Sequence, residues 1–353
     1  MTFEIGIMTF GEVTEDPLTG HLPSPRTRVS ETIEQAKIAD EVGLDVFGMG
    51  EHHRSDFVGS APSILLAAAA EVTNNIRLTS AVTVLSSEDP VRVWEQFATL
   101  DLLSAGRAEI IAGRGSYTES FPLFGYDLAD YADLFREKLD LLLKIREQNP
   151  LTWSGEFRPT LIDADIAPRA DGDTIPVWVG VGGSTASAIS TGRLGLPMAL
   201  ALLLGPINSH EQTLELYRAS AEQAGHDAAN LPVSINTHGF VGRTSQQARE
   251  TMYPYFAKGM AENNHQRGRG LLIPRTAFEA QATPRSGLLV GSTQEVIDKL
   301  LEYHRLYGLN RAMIQMGFGG VPQRDHLEAI ERLGLEVAPV VRREVEAMEG
   351  AAA

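Results

Sequence analysis

What most constrains this chain is an alternation of short β-like runs with longer amphipathic stretches. Residues 3–8 read as a strand, and residues 28–42 follow with Ile33, Ala36, Ile38 and Ala39 on one helical face. Gly43 stands where a left-handed residue closes a helix. The unit then repeats. Residues 45–50 precede a helix over 62–72, residues 77–85 precede 90–103, and residues 107–112 precede 131–146. Residues 176–181 precede a helix from Ser184, residues 197–204 precede 210–224, and residues 232–241 precede a helix from Ser245. Residues 311–316 supply an eighth strand. Parallel strands need a long crossover, and here the helices provide it, so eight such units predict a (β/α)8 barrel.

Two stretches stand outside the alternation. Residues 147–175, rich in Pro, Asp and Gly, read as a long connection between the fourth and fifth units. Residues 259–290 carry Asn263, Asn264, Arg267, Gly268, Arg269, Gly270, Pro274 and Pro284, and read as an irregular late insertion. Long irregular segments in barrels are often active-site lids. A helix over 294–307 follows, then another over 337–348 with a frayed Gly-Ala tail. The expected organisation is a single barrel domain, residues 1–353, with the insertion at about 259–290.

Charge and composition narrow the function. The chain has 46 acidic and 30 basic residues, a formal charge of −16. That weighs against a nucleic-acid partner and against an anionic membrane surface. The absence of cysteine excludes disulfides, thiolate metal sites and a cysteine nucleophile. The longest apolar run, residues 194–204, is interrupted by Gly195 and Pro197 and is shorter than the roughly 20 residues of a membrane span. The start, Met1-Thr2-Phe3-Glu4-Ile5, has no basic stretch before an apolar core. The expectation is a soluble, cytoplasmic, globular protein.

In such a barrel, chemistry sits where strands end. After the second strand comes Glu51-His52-His53-Arg54. One histidine can act as acid, base or donor in the mouth; alternatively the histidines ligate a metal, or satisfy loop backbone. Successive side chains on a strand alternate sides, so Glu51, His52 and His53 cannot all converge while the strand stays regular. A metal site would need further ligands, for which His238 is the candidate. After the fourth strand, Gly113-Arg114-Gly115-Ser116-Tyr117 leaves a guanidinium free for an anion, or for an ion pair closing the loop. After the fifth, Gly180-Val181-Gly182-Gly183-Ser184-Thr185 opens a helix containing Ser187. That is a phosphate cradle, or an ordinary N-cap by Ser184. Met8, Phe10, Tyr117, Trp178, His238 and Met316 stand near strand ends as candidate substrate-pocket residues.

Several segments in order resemble the bacterial luciferase-like flavin-dependent monooxygenase family. They are Glu51-His52-His53, Asp89-Pro90-Val91-Arg92, Leu103-Ser104-Ala105-Gly106-Arg107, Ile111-Ala112-Gly113-Arg114-Gly115, Phe124-Gly125, Pro176-Val177-Trp178-Val179, Gly195-Leu196-Pro197-Met198 and Val290-Gly291-Ser292-Thr293-Gln294-Glu295-Val296. The resemblance implies a luciferase-type barrel with a late insertion and a flavin at its mouth. It implies His52 as the catalytic histidine beside the flavin ring, and a non-prolyl cis peptide at Ala81-Val82 beneath it. It implies Arg114 and the turn of Gly182, Gly183, Ser184 and Ser187 as holders of the flavin phosphate. It further implies reduced FMN and oxygen acting on a small organic substrate, a separate flavin reductase, and a homodimer formed through residues 61–74 and 90–104. A deazaflavin-dependent hydride transfer is the alternative activity, and a non-catalytic flavin-binding protein another. No metal is expected. Two departures stand out: luciferase has cysteine where this chain has Gly113, and glutamate in the phosphate turn where this chain has glycine. Neither supports light emission.

Overall fold

The computed structural model describes residues 3–352 apart from 116, 173 and 267–271. Ser116, and Arg267, Gly268, Arg269 and Gly270 of the insertion, therefore lie outside the described residues. The first half comprises β1 (Glu4–Thr9), α1 (Pro25–Glu41), β2 (Val46–Met49), α2 (Pro62–Ala70), β3 (Arg77–Ser80), β4 (Thr83–Val84), α3 (Pro90–Ser104), β5 (Ala108–Gly113), α4 (Ser120–Phe124) and α5 (Tyr131–Glu147). The second half runs β6 (Leu151–Trp153), β7 (Leu161–Ala164), β8 (Val177–Val181), α6 (Thr185–Arg193), β9 (Met198–Ala201), α7 (Glu211–Gln223), β10 (Val233–Gly242) and α8 (Ser245–Gln266). It closes with α9 (Arg275–Gln281), β11 (Leu289–Ser292), α10 (Thr293–Tyr307), β12 (Arg311–Gln315), α11 (Gln323–Arg332) and α12 (Ala338–Ala352).

Eight strands, β1, β2, β3, β5, β8, β9, β10 and β12, pair in parallel in that order, and β12 returns to β1 to close the barrel. Strand parity sorts the side chains into two cores. Met8, Val46, Ala81, Ile111, Trp178, Ala199 and Met313 fill the barrel interior. Their odd-register neighbours, such as Ile5, Ile7, Phe47 and Ile110, face the helical layer. The amino-terminal end of the barrel is plugged by a buried ion pair. Arg311 donates to both oxygens of Glu109 at 2.5 and 2.9 Å and to Glu4 at 2.7 Å, with its guanidinium 4.2 Å over the Trp178 ring. Among the described residues no helix is long and apolar enough to cross a membrane.

The structure departs from the sequence reading in four places. The third strand is not one run, because β3 and β4 are separated at Ala81-Val82, whose peptide bond is cis. The connection at 147–175 contains an antiparallel hairpin, β6 on β7, with Trp153 Nε1 donating to Asp140 of α5 at 3.0 Å. The stretch 259–290 is not irregular throughout. Helix α8 runs through Pro254 and on to Gln266, held by buried Met252, Tyr255, Phe256 and Ala257, and α9 follows. Strand β11 then pairs with the upper half of β10, outside the closed barrel. The tail is not frayed at the glycine, since α12 continues to Ala352. Packing of one apolar face overrides weak local propensity in each helix.

Candidate active site

At the carboxyl ends of the strands lies a cavity of ≈ 630 Å³. Small residues form its floor: Ala81, Gly113, Gly180 and Ala199. Gly113 is required there, because a Cβ would stand 2.4 Å from Val82 Cγ2. Val82 thus lies directly on the backbone of β5 and β8, and Ala81 and Val82 both line the cavity.

One wall carries His52. Its Nδ1 lies 2.9 Å from Glu119 Oε1, and its ring is enclosed by Phe10, Phe57 and Tyr117 at centroid distances of 4.7, 4.6 and 4.8 Å. Burial pushes the Glu119 carboxyl up, but hydrogen bonds from His52 and from backbone outweigh it and leave Glu119 below its usual range. His53 turns to another partner. Its Nε2 donates to Glu51 Oε1 at 2.9 Å, and Glu51 Oε2 accepts the Val84 N–H at 2.9 Å. The bond to Glu51 holds His53 above its ordinary value of 6.5 against the opposing effect of burial.

The metal alternative read from the sequence does not assemble. His52 is engaged by Glu119, and His238 stands elsewhere in the cavity. Glu51, His53 and Glu88 do bring ligand atoms within 4.8 Å of one another. Both Glu51 oxygens are already hydrogen-bonded, however, and His53 presents a donor to it.

A second region carries positive charge. Arg114 lines the cavity, donates to Ser187 Oγ at 2.8 Å and lies 5.2 Å over the Tyr131 ring. Among the described residues no carboxylate pairs with it. Of the turn before α6, Gly182 lines the cavity, and a Cβ there would meet nothing within 4 Å. Gly183 has φ +90° and lies against His210. Ser184 is the N-cap of α6, accepting from Ser187 N, so this hydroxyl does the ordinary capping work. Gly183, Ser184 and Ser187 stand behind Gly182 and Arg114 rather than lining the cavity themselves.

The remaining wall is polar. Gln315 Nε2 donates to Glu12 Oε1 at 2.6 Å, and His238 lines the same wall. Burial pushes His238 down to about 4 and pushes the Glu12 carboxyl up. Met8, Phe10, Tyr117 and His238 line the cavity as read from the sequence, but Trp178 and Met316 do not. Trp178 lies below, under Arg311, and Met316 is buried in the outer core. Sequence reasoning missed Glu12, Glu119, Tyr131, His210 and Gln315. Each is a lone polar residue in a loop, in a strand or, for Tyr131, at the start of α5, recognisable only by its spatial neighbour.

A family model for luciferase-like monooxygenases matches residues 3–309. The chain belongs to that family. The N-acetyl-S-alkylcysteine monooxygenase of Bacillus subtilis is 26% identical over 313 residues, 86% of this chain and 91% of that one. The oxygenase component of the flavin-dependent trigonelline monooxygenase of Acinetobacter baylyi is 23% identical over 295 residues, 78% of this chain and 80% of that one. Among solved structures, the oxygenating constituent of 3,6-diketocamphane monooxygenase from Pseudomonas putida, in complex with FMN, aligns with TM-score 0.77 at 20% identity, covering 96% of this chain and 98% of that one. That last likeness concerns the fold.

Proposed function

We propose that this enzyme is the oxygenase component of an FMN-dependent monooxygenase, using reduced FMN and molecular oxygen on a small organic substrate. The observation that carries the reading is Arg114. A cavity-lining guanidinium that has no carboxylate partner among the described residues, beside the open Gly182 turn and the first turn of a helix, is suited to a phosphate. The small-residue floor of Ala81, Val82, Gly113 and Gly180 suits a flat ring system. The residues present therefore fit a flavin, which supplies the oxygen-activating chemistry when bound.

The chain's own residues would do the following. Arg114, supported by Ser187 and the α6 amino terminus, holds the phosphate, while Gly182, Gly183 and Ser184 shape the turn. Ala81 and Val82 support the ring. His52, its Nδ1 committed to Glu119, keeps Nε2 to hold or move a proton at the reacting centre. Glu119 is a positioning residue that fixes the tautomer. Phe10, Phe57 and Tyr117 exclude water around His52. Gly259 and Met260 of α8 also line the cavity, which supports the segment from 259 onward as a lid.

The printed name of the trigonelline relative, an oxygenase component, supports a separate reductase as partner. A homodimer through α2 and α3 is supported by the exposed apolar side chains Ile64, Val72, Leu102 and Leu103 on those helices and their ends.

Anaerobic titration with oxidised FMN, reduced FMN and a deazaflavin, followed by fluorescence and absorbance, tests the reading. Tight binding of reduced FMN that Arg114→Ala weakens supports it, with oxygen consumption coupled to product as the second requirement. Preference for the deazaflavin moves the activity to hydride transfer. Binding without turnover on a broad substrate panel leaves a non-catalytic flavin protein. Failure to bind any of the three ends the flavin reading.

A further inference from the structure

The wall formed by the loop after β1 and the end of β12 holds a carboxylate that flavin binding does not use. Glu12 is 6% exposed and lines the cavity. Its Oε1 accepts from Gln315 Nε2 at 2.6 Å. Its Oε2 takes no hydrogen bond among the described residues, yet protein does not enclose it, so it opens on the cavity. A deeply set polar atom left unpaired is costly, so one that opens on a cavity is a place for a ligand group.

The backbone around this carboxylate is pinned from two sides. Glu12 forms an isolated antiparallel bridge with Phe57, the Val13 N–H donates to the Asp56 carbonyl at 2.7 Å, and the Val58 N–H donates to the Gly11 carbonyl at 3.0 Å. Thr14 Oγ1 donates to the Gly319 carbonyl at 3.1 Å, which ties the same segment to the loop after β12. With Oε1 held by Gln315, the carboxylate is oriented before any ligand arrives.

Its charge goes unanswered. Among the described residues Glu12 forms no ion pair, and its one hydrogen-bond partner, Gln315, is neutral. Arg28 lies outside the lining and pairs with Glu31 at 2.9 Å. The other acids of the lining are better matched. Glu51 bonds His53, Glu119 bonds His52, and both oxygens of Asp56 take Arg54. Glu262 has only Lys258, at 3.8 Å, and Lys258 donates to the Glu15 carbonyl as well. Among the described residues, Arg114 is the only arginine or lysine in the lining, and it belongs to the phosphate end. Burial accordingly pushes the Glu12 carboxyl up from its usual range. A positive group entering here offsets that cost, whereas an anion adds to it. Phe10, Phe57 and Phe318 in the same lining offer apolar surface to the carbon body of such a ligand.

We infer that Glu12 Oε2 accepts a hydrogen bond from a protonated amine, and that the substrate class is an organic cation carrying an N–H group. The substrate assignment rests on the flavin reading; the cation site at Glu12 does not.

The test is calorimetry on the full chain at about pH 7.5, with and without FMN, using amines matched in shape to alcohols: butylamine with butanol, cyclohexylamine with cyclohexanol, and benzylamine with benzyl alcohol. At least one amine should bind about 10-fold or more tightly than its alcohol, the order expected for a charge-assisted hydrogen bond. Benzoate should not bind the FMN-loaded protein. Glu12→Gln keeps the shape and an oxygen for Gln315, and should bind FMN like wild type while losing the preference for the amine. Glu12→Asp keeps the charge but withdraws the oxygen, and should weaken the amine several-fold while leaving its alcohol unchanged. Urea melts show that each variant is folded, and either one suffices. Equal affinity of every amine and its alcohol, non-binding included, overturns the inference, as does binding of benzoate or a preference for the amine that survives in a folded variant. If wild-type protein binds no FMN while Glu12 still selects the amine, the proposed function fails and the cation site stands. If FMN binds and no amine is preferred, the cation site alone fails.

Discussion

Two adjacent glycines in the turn before α6 separate the cofactor cradle from the fold. Gly182 is not in the left-handed region, and a Cβ there would meet nothing within 4 Å. Gly182→Leu should therefore fold as well as wild type, with a gain of about 0.4–1 kcal/mol from the less flexible unfolded chain. Its side chain would fill the cavity mouth beside Arg114. Displacing one charge-assisted phosphate contact costs about 1.5–3 kcal/mol, which raises the FMN Kd roughly 10- to 150-fold. Gly183 is the opposite case. At φ +90°, with a would-be Cβ 3.1 Å from His210 Cε1, any L side chain is strained. Gly183→Ala should lose about 1–2 kcal/mol of stability. Urea melts read the fold, and quenching of FMN fluorescence reads the site. Gly182→Leu protein that binds FMN like wild type would refute the placement of the phosphate at this turn. Gly183→Ala protein of unchanged stability would refute the backbone argument.

Three further outcomes follow from the same geometry. His52→Ala should keep FMN binding and lose turnover by about 100-fold or more, with Glu119→Gln impaired in the same direction; stopped-flow turnover with a verified substrate checks it, and an unimpaired His52→Ala sinks the assignment. His53 is raised from 6.5 by Glu51, so this pair stabilises the fold fully below pH 6.5 and the contribution is lost as pH rises through the higher folded value. Thermal melts from pH 6 to 9 should show that decline in wild type and a flatter profile in His53→Gln. Arg311→Met leaves Glu109 buried without its counter-charge and should destabilise the chain by about 3–5 kcal/mol in chemical denaturation; a loss under 1 kcal/mol would show that the amino-terminal plug is not an ion pair in solution.

The barrel was legible because its signal is periodic and local. Each strand announces itself by a run such as Asp45 to Gly50, and each helix by an apolar face, so counting units gives the architecture. What the count missed depends on contacts distant in sequence. The β6–β7 hairpin is tied to α5 through Trp153 and Asp140, and α8 passes Pro254 because Phe256 and Met252 are buried beyond and before it. Neither contact has a local signature.

The site follows the same division. The Glu51-His52-His53 run, Arg114 and the Gly182 turn stand at strand ends, where a barrel puts its chemistry, so position marked them as candidates, and the choice of His52 came from the family resemblance. Their partners could not be marked in this way. Glu119 is 67 residues from His52, and Gln315 is 303 residues from Glu12. The second pair meets only because β12 closes onto β1, a consequence of the whole barrel rather than of either segment. The parity argument bears on this only as an exclusion. It held only that Glu51, His52 and His53 cannot all converge on a regular strand; β2 ends at Met49, and in the loop beyond it Glu51 takes His53 while His52 turns to Glu119. The pair that binds its own neighbour is free to support the loop and Val84, while the histidine left over is the one that needs a partner from another strand end. A residue whose local partner is ruled out by geometry is thus the one whose function depends on tertiary closure, and His52 is that residue here.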